Sequence, residues 1–213
     1  TSCGPFLLLG PSGVGKTLTA KAIHAELANL RLIESNGEML NNTVELMSAL
    51  LTADDNTTIF IDECQALSTR AQHILLTAIS EKKLYIPRGM SRKTKRDIPL
   101  ANFVLILAST HEFQLQDALR NRARVYCRFN YYSIDDLTYI VKQRADALNW
   151  QYESIEVLTE IAKRSKQTPR LALNRNLQMA WNVCSFNDRS IITMDDVFEA
   201  FRLLNICSMG LDS

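Results

Sequence analysis

The sequence contains the glycine-rich segment Gly10-Pro11-Ser12-Gly13-Val14-Gly15-Lys16-Thr17, which follows a short apolar run at residues 6–9. Its pattern, Gly-x4-Gly-Lys-Thr, predicts a strand, a phosphate-binding turn and a helix, in that order. Glycines allow several backbone amides to face one anion, and the amino terminus of the helix adds positive potential. Lys16 can then reach the β- and γ-phosphates of a nucleotide, and the Thr17 hydroxyl can ligate magnesium.

Apolar runs with two different periods alternate over the first two thirds of the chain. Strands are predicted at residues 6–9, 30–33, 57–61 and 103–108, and helices at 16–28, 44–51 and 71–79. Buried apolar strands separated by helices indicate a parallel sheet with helices on its faces. We therefore predict an α/β core of the phosphate-loop type over residues 1–129.

The remainder of the sequence, residues 130–213, favours helices. Two Ser/Thr-x-x-Asp segments, 133–136 and 193–196, fit the start of a helix, where a hydroxyl and a carboxylate accept hydrogen bonds from otherwise unpaired amides. Thr168-Pro169 predicts a further helix start, because proline is tolerated in the first turn. These residues are therefore predicted to form a second, small all-helical domain.

Composition limits the class of protein. The 213 residues carry 24 Lys+Arg and 23 Asp+Glu, a formal net charge of +1, and 46% are hydrophobic. This is typical of a globular chain, not of a disordered tail or of a protein that binds polyanions over its whole surface. The longest apolar run, 103–108, is far shorter than the roughly 18 residues that cross a bilayer, so no membrane contact is predicted. Five cysteines without a CxxC pair predict a reduced, cytoplasmic protein without a zinc site.

A pair of carboxylates follows the third predicted strand. Asp62 suits a magnesium shell, and Glu63 can orient or deprotonate an attacking water. Two adjacent acids at a strand end are about as often a solvated turn, and here it is the phosphate-binding segment that favours catalysis. The fourth predicted strand, 103–108, presents Ser109-Thr110, where a hydroxyl can sense a γ-phosphate or hold the water.

Further stretches match one family in the same order along nearly the whole chain. They are Leu27-Ala28-Asn29-Leu30-Arg31, Phe60-Ile61-Asp62-Glu63, Ala108-Ser109-Thr110, Ala118-Leu119-Arg120-Asn121-Arg122, Arg164-Ser165 with Thr168-Pro169-Arg170, and Met209-Gly210-Leu211-Asp212. Together they resemble the AAA+ ATPases and, in their details, the RuvB family of Holliday-junction branch-migration motors. The resemblance implies an AAA+ core at 1–129 and a helical lid at 130–213, with ATP and Mg²⁺ as cofactors.

The resemblance also implies roles for individual residues. The implied nucleotide contacts are Gly10, Pro11, Ser12, Gly13, Val14, Gly15, Lys16, Thr17, Leu18, Asp62 and Arg170, with Thr17 and Asp62 on the metal. Glu63 is the implied catalytic acid–base group, and Thr110 aligns with the first sensor.

Two arginines have further implied roles. Arg122 aligns with the arginine finger, which in such rings reaches the γ-phosphate of the neighbouring subunit. Arg170 aligns with the second sensor, through which the lid responds to the nucleotide. For Arg122 a solvated basic turn stays an alternative, because Arg120, Arg124 and Arg128 crowd the same segment.

The chain departs from the family pattern at several points. The family usually has Asp-Arg-Phe-Gly where this chain has Asn121-Arg122-Ala123-Arg124, which leaves the placement of the finger open. An aliphatic residue and His usually follow the acid pair, whereas here Cys64-Gln65 follow it. The family also has an adenine-binding segment before the phosphate loop and a winged helix after the lid. Because this chain begins with Thr and has neither, we expect it to be a fragment of a longer protein.

A basic insertion precedes the fourth predicted strand. Residues 82–96 contain no acid, and their basic members are Lys82, Lys83, Arg88, Arg92, Lys93, Lys95 and Arg96. Turn residues between apolar flanks predict a β-hairpin over about 82–99. In the RuvB family a hairpin at this place mainly grips the partner protein RuvA. A solvated face, a partner-docking arm and an arm that contacts DNA phosphates all fit this run, and its charge density favours the last.

The resemblance implies Mg²⁺-dependent ATP hydrolysis by a ring, expected to be a hexamer, that drives branch migration of four-way DNA junctions in recombination and repair. The expected partners are further copies of the chain, junction DNA through residues 82–96, and a RuvA-like protein. One alternative is another AAA+ DNA machine of the clamp-loader or initiator type, which the ending 209–212 and the hairpin disfavour. The other is a nucleotide-gated binding module that scarcely hydrolyses ATP, which the presence of Glu63, Thr110 and the arginines disfavours.

Overall fold

The computed structural model describes residues 4–27, 30–87 and 95–207 of the chain. Ala28, Asn29 and the ending 209–212, which contributed to the family resemblance, lie outside these ranges. The chain divides into two compact units. The first, the core unit, comprises residues 1–10 and 16–129, and the second, the helical unit, comprises 11–15 and 130–213.

The core unit contains a five-stranded parallel sheet and an antiparallel hairpin. Its strands are β1 (Phe6–Leu9), β2 (Arg31–Asn36), β3 (Thr57–Asp62), β4 (Lys83–Pro87), β5 (Lys95–Pro99), β6 (Val104–Ser109) and β7 (Val125–Arg128). The sheet has the order β2-β3-β6-β1-β7, and each neighbouring pair is parallel. The predicted α/β fold class is therefore confirmed.

Helices cover both faces of this sheet. They are α1 (Lys16–Glu26), α2 (Thr43–Thr52), α3 (Thr69–Glu81) and the short α4 (Asp117–Arg120). Successive side chains of a strand point to opposite faces, so Leu7 and Leu9 pack in one apolar cluster while Phe6 and Leu8 pack in the other. Because both faces are buried, the central strands read as continuous apolar runs.

The edge strand β7 was not predicted. Its residues Val125, Tyr126 and Arg128 are exposed and only Cys127 is half-buried, so it lacks the apolar run of a central strand. It pairs with β1 alone within the described sheet, from Phe6 opposite Val125 to Leu9 opposite Arg128. An edge strand with one solvated side needs no apolar pattern, which explains why the sequence did not reveal it.

The basic insertion begins as a hairpin in which β4 and β5 pair antiparallel, with Lys83 opposite Pro99. Lys83 Nζ forms an ion pair with Asp97 Oδ2 across the strands at 2.9 Å. The side chains of Arg88, Arg92, Lys93, Lys95 and Arg96 lie outside the part of the chain that the structure describes. The structure therefore describes the base of the hairpin and leaves its basic tip undescribed.

The helical unit consists of α5 (Ile134–Ala147), α6 (Ile155–Lys163), α7 (Pro169–Leu171), α8 (Gln178–Phe186) and α9 (Met194–Leu203). A π-helical segment, Ala172–Leu177, joins α7 to α8. Ser133 caps α5 by accepting a hydrogen bond from the Asp136 amide, and Thr193 with Asp196 forms a capping box on α9. One feature departs from an all-helical domain: Gln151–Tyr152 and Ile191–Ile192 form a short parallel pair, β8 and β9.

Candidate active site

The sheet order brings the candidate catalytic groups of the core unit to the carboxyl ends of the strands, which form the carboxyl edge of the sheet. Strands β3, β6 and β1 are neighbours, so their carboxyl ends lie side by side, and ligands of open parallel sheets bind at such edges. The Gly10 amide donates to the Ser109 carbonyl oxygen at 3.2 Å and ties the end of β1 to the end of β6. Asp62 ends β3 at the same edge.

Lys16 and Thr17 open helix α1 at this edge. Lys16 is 6% exposed, and its Nζ donates to the Gly10 carbonyl oxygen at 2.7 Å. Gly10 has φ +151°, and a Cβ there would come within 2.4 Å of the Phe129 carbonyl oxygen, so a side chain does not fit. The lysine ammonium is thus held at the start of the phosphate-binding segment.

The donor set at the ends of α1 and β3 fits a magnesium ion. Thr17 Oγ1 donates to Asp62 Oδ2 at 2.8 Å, which brings a hydroxyl and a carboxylate together. Mg²⁺ in phosphate-binding sites takes one or two such oxygens from the protein and fills its other positions with phosphate and water. Among the described residues no group of three or more His, Cys, Asp or Glu side chains could hold a metal ion.

Glu63 follows Asp62 in a left-handed backbone conformation, with φ 46° and ψ 44°. Its Oε2 accepts hydrogen bonds from Gln65 Nε2 at 2.5 Å and from Thr110 Oγ1 at 2.9 Å. Burial raises the pKa of Glu63, but the bonds from Gln65 and Thr110, with the charges of Lys16 and His111, lower it more, so that the net pKa lies below the ordinary value. The carboxylate is therefore ionised at neutral pH and able to accept a proton from water.

The loop 11–15 belongs by its contacts to the helical unit, where it meets Arg170. Arg170 Nη1 donates to Ser12 Oγ at 3.0 Å, and the Arg170 amide donates to the Gly13 carbonyl oxygen at 3.2 Å. Gly13 has φ +82°, and a Cβ there would lie 3.0 Å from the Arg170 Cβ. Pro169 occupies the first turn of α7, directly before this arginine.

A cavity of about 690 Å³ in the helical unit adjoins this contact. Ser12, Gly13 and Arg170 line it, together with Tyr131, Lys163 and Lys166. Its cationic side chains suit a phosphorylated ligand.

Arg122 lies at the opposite edge of the sheet, which is formed by the amino ends of the strands. It lines a cavity of about 190 Å³ together with Lys82 and Arg124, and with Gly4 and Phe103, which precede β1 and β6. Burial and the charge of Arg124 lower the pKa of Lys82, as expected where cations converge. Because the strands are parallel, their amino ends lie opposite the edge that carries Asp62, Glu63 and Thr110.

The neighbouring arginines are engaged differently. Arg128 makes a bidentate ion pair with Glu112, at 2.8 and 2.9 Å, and Arg120 bonds Asp117 and Glu112. In the described ranges Arg122 and Arg124 make no ion pair. The basic segment thus contains two paired arginines and two that face a cavity.

Two family models together match most of the chain. The model for the P-loop domain of the Holliday junction DNA helicase RuvB matches residues 2–129, and the RuvB AAA lid domain matches 132–207. The chain belongs to the RuvB family. The resemblance that the sequence motifs indicated is therefore confirmed.

Solved RuvB structures superpose on the chain over its full length. A mutant of Thermotoga maritima RuvB has a TM-score of 0.89 and 26% identity, covering 100% of this chain and 66% of that chain. The Thermotoga maritima RuvB Holliday junction branch migration motor has a TM-score of 0.86 and 26% identity, covering 100% and 65%. NtrX from Brucella abortus in complex with ADP, at 17% identity and a TM-score of 0.64, shares the fold alone, over 90% of this chain and 48% of its own. The chain spans just under two thirds of the length of these RuvB structures.

The structure thus brings some of the predicted RuvB site residues together and separates others. Lys16, Thr17, Asp62, Glu63 and Thr110 meet at one edge of the core sheet. The side chain of Leu18, predicted as a nucleotide contact, is 75% exposed on α1. No helix in the described part of the chain is long and apolar enough to span a membrane.

Sequence reasoning missed Gln65 and His111 as neighbours of Glu63 and Thr110, and it named Ser109 only as an alternative to Thr110. Gln65 bonds Glu63 and Thr110, Ser109 bonds Gln65, and His111 Nδ1 lies 3.0 Å from Thr110 Oγ1. Each is adjacent to a predicted residue or two positions from one. That proximity was the available signal, but no motif distinguished these side chains from ordinary turn residues.

Proposed function

We propose that this chain binds ATP with Mg²⁺ and hydrolyses it as the motor part of a ring, expected to be a hexamer, that drives branch migration of Holliday junctions. One observation carries the proposal: Thr17 and Asp62 present two metal-binding oxygens 2.8 Å apart, at the sheet edge where Glu63 accepts hydrogen bonds from Gln65 and Thr110. RuvB-family membership supports a Holliday junction as the substrate, and the family resemblance implies a RuvA-like protein as partner.

Residues of the core unit would carry out the hydrolysis of ATP. Thr17 and Asp62 would hold Mg²⁺, whose charge would neutralise phosphate oxygens. Lys16 bonds the Gly10 carbonyl oxygen in this structure. With ATP bound, its ammonium group would instead contact the β- and γ-phosphates. Glu63 would accept a hydrogen bond from the attacking water, and Thr110 would keep the carboxylate in place.

Two arginines would stabilise the charge of the γ-phosphate and couple hydrolysis to movement of the helical unit. Arg122, at the far edge of the sheet from Glu63, would reach the γ-phosphate held by the next subunit. Arg170, which bonds Ser12 in the phosphate loop, would move with the helical unit when the loop takes up phosphate. Such a movement would convert hydrolysis into a pull on DNA.

The test of this function uses the purified chain with and without Mg²⁺, ATP, a synthetic four-way junction and a RuvA-like protein. We expect hydrolysis to require Mg²⁺, because the ion would neutralise phosphate oxygens, and junction dissociation to require ATP as its source of energy. Thr17→Ala should raise the Mg²⁺ concentration needed for half-maximal hydrolysis, whereas the control Thr19→Ala, on the same helix, should not.

The alternatives give different results in this assay. Hydrolysis that leaves four-way junctions intact but acts on primer–template or duplex DNA would favour a clamp-loader or initiator type of machine. Nucleotide binding without turnover in any combination of components would favour a binding module.

The basic hairpin gives a second prediction. Replacing Arg92, Lys93, Lys95 and Arg96 with Ser should weaken binding to DNA or to an acidic partner and reduce the dependence of affinity on salt, because each lost phosphate contact releases about one counterion fewer. Affinity measured between 50 and 200 mM salt, roughly the range over which phosphate contacts dominate, gives the slope. The control replaces Arg70, Lys142, Arg144 and Arg202 with Ser, which changes the net charge equally. Equal effects of both variants on DNA and partner binding would contradict a specific role for the hairpin.

A further inference from the structure

Gln65 makes three hydrogen bonds at the candidate catalytic edge. Its Nε2 donates to Glu63 Oε2 at 2.5 Å and to Thr110 Oγ1 at 2.9 Å. Its Oε1 accepts a hydrogen bond from Ser109 Oγ at 2.8 Å. One side chain therefore links the catalytic candidate Glu63 to both hydroxyls at the end of β6.

The orientation of the Gln65 amide follows from the bonds of Ser109. Ser109 is fully buried, and its Oγ accepts a hydrogen bond from the His111 amide at 3.0 Å. The single hydroxyl proton of Ser109 is then available to donate, and the oxygen of the Gln65 amide is the acceptor within reach. With that oxygen on Ser109, the amide nitrogen must face Glu63 and Thr110.

The backbone keeps Gln65 in this place. Residues Cys64–Ala66 form a single 3₁₀ turn directly after the left-handed Glu63, and the Ala66 amide donates to the Glu63 carbonyl oxygen at 2.9 Å. The Leu67 amide donates to the Cys64 carbonyl oxygen at 3.2 Å, and Cys64 is fully buried in the core. Because the turn is anchored on both sides of Gln65, its amide and the Glu63 carboxylate stay in contact.

We propose that Gln65 is a positioning residue for hydrolysis: it holds Glu63 Oε2 against Thr110 and leaves Oε1 of the same carboxylate for the attacking water. The inference rests on the proposed ATPase function. A carboxylate fixed through one oxygen has a defined direction for the other, and correct orientation of a reacting water contributes strongly to rate. The Glu63 turn alone does not determine that direction, since a glutamate side chain has three rotatable bonds.

The electrostatic surroundings support this role. Burial raises the pKa of Glu63, and the hydrogen bond from Gln65 is the largest of the influences that lower it, followed by the bond from Thr110 and the charges of Lys16 and His111. The other charged groups at this edge are Asp62, from β3, and Lys16, from α1. The Gln65 amide is thus one of the two side-chain donors that bond this carboxylate.

The test compares wild type with Gln65→Met, which removes the donor and keeps the length of the side chain. We expect kcat to fall about 10- to 100-fold, the usual effect of losing a hydrogen bond to a charged group, while the KM for ATP changes little. Combined with Glu63→Gln, Gln65→Met should lower kcat little further, because the amide acts through that carboxylate.

Gln72→Met is the matched control. Gln72 is also buried, and its side-chain amide bonds the backbone of Leu67, Gln114 and Gln116. Gln72→Met should leave kcat unchanged. Gln65→Asn, which keeps the amide one methylene short, should lower kcat less than Gln65→Met and serves if the latter does not fold.

Two results are distinguishable. A kcat that is the same in wild type, Gln65→Met and Gln65→Asn would overturn the positioning role, as would an effect of Gln65→Met that is undiminished in the Glu63→Gln background. A wild-type chain that hydrolyses no ATP would instead contradict the proposed function, and the side-chain amide NMR signals of Gln65, compared with those in Glu63→Gln, would still show whether Gln65 bonds the carboxylate.

Discussion

Equal mixtures of Lys16→Ala and Arg122→Ala subunits are expected to hydrolyse ATP, although each variant alone should be nearly inactive. Lys16 lies at the carboxyl edge of the core sheet, with its Nζ on the Gly10 carbonyl oxygen, whereas Arg122 lines a cavity at the amino edge. One subunit therefore cannot bring both to the same phosphate. An arginine finger supplied from a neighbour contributes about 10³- to 10⁵-fold to kcat, so each single variant should lose activity on that scale.

The measurement is steady-state ATP hydrolysis over a range of mixing ratios at fixed total protein. In a ring with head-to-tail interfaces, random mixing at equal amounts restores both residues at about a quarter of the sites. Activity should therefore peak near equal proportions.

The control mixture combines Lys16→Ala with Glu63→Gln. Lys16 and Glu63 lie at the same edge of one core unit, so no mixed interface regains both, and this mixture should stay inactive. If the Lys16→Ala and Arg122→Ala mixture is as inactive as this control, while the wild type is active, Arg122 does not act in the neighbouring site. The alternative of a solvated basic turn would then hold for Arg122.

Glu63→Gln is expected to bind ATP with nearly wild-type affinity and to lower kcat by about 10²- to 10⁴-fold, the usual contribution of a positioned general base. The substitution keeps the shape of the side chain but removes the negative charge that would accept a proton from water. The pKa of Glu63 lies below the ordinary value, so the base is already ionised at neutral pH and loses activity only as the pH falls through that lowered pKa.

Binding of a fluorescent nucleotide and single-turnover hydrolysis measure the two effects separately. Glu34→Gln is the control, because Glu34 is an exposed carboxylate that pairs with Lys21 at 3.0 Å on the surface. It should leave both binding and turnover unchanged. Full-speed turnover by Glu63→Gln would refute the assignment of Glu63 as the catalytic group.

Much of the fold was readable in the sequence because its determinants are local. The buried strands β1, β3 and β6 appear as apolar runs because both faces of the sheet are covered. Helix starts at Ser133 and Thr193 were predicted from residues three apart, which is also the distance over which caps act. The edge strand β7 was not predicted because a strand with one solvated side has no such apolar run.

The candidate site divides in the same way. The contiguous segment from Gly10 to Thr17 contains its own chemistry, since the turn, the lysine and the hydroxyl are adjacent in the chain. Asp62 and Glu63 were also predicted from a local pattern, because they are adjacent and directly follow an apolar strand. Arg170 was implied by the family resemblance of the segment Thr168-Pro169-Arg170, and in the structure it bonds Ser12.

The sequence by itself thus determined the phosphate loop, the acid pair, the apolar strands and the helix caps, because each depends on neighbouring residues. Only the tertiary structure decided which distant residues meet. The strand order β3-β6-β1 brings Thr110 to Glu63, and Arg122 lines a cavity with Gly4 and Phe103 at the amino ends of the strands. The structure alone shows that Gln65 bonds Glu63 and Thr110. Contacts between residues that are far apart in the chain depend on sheet order and packing, which no local pattern encodes.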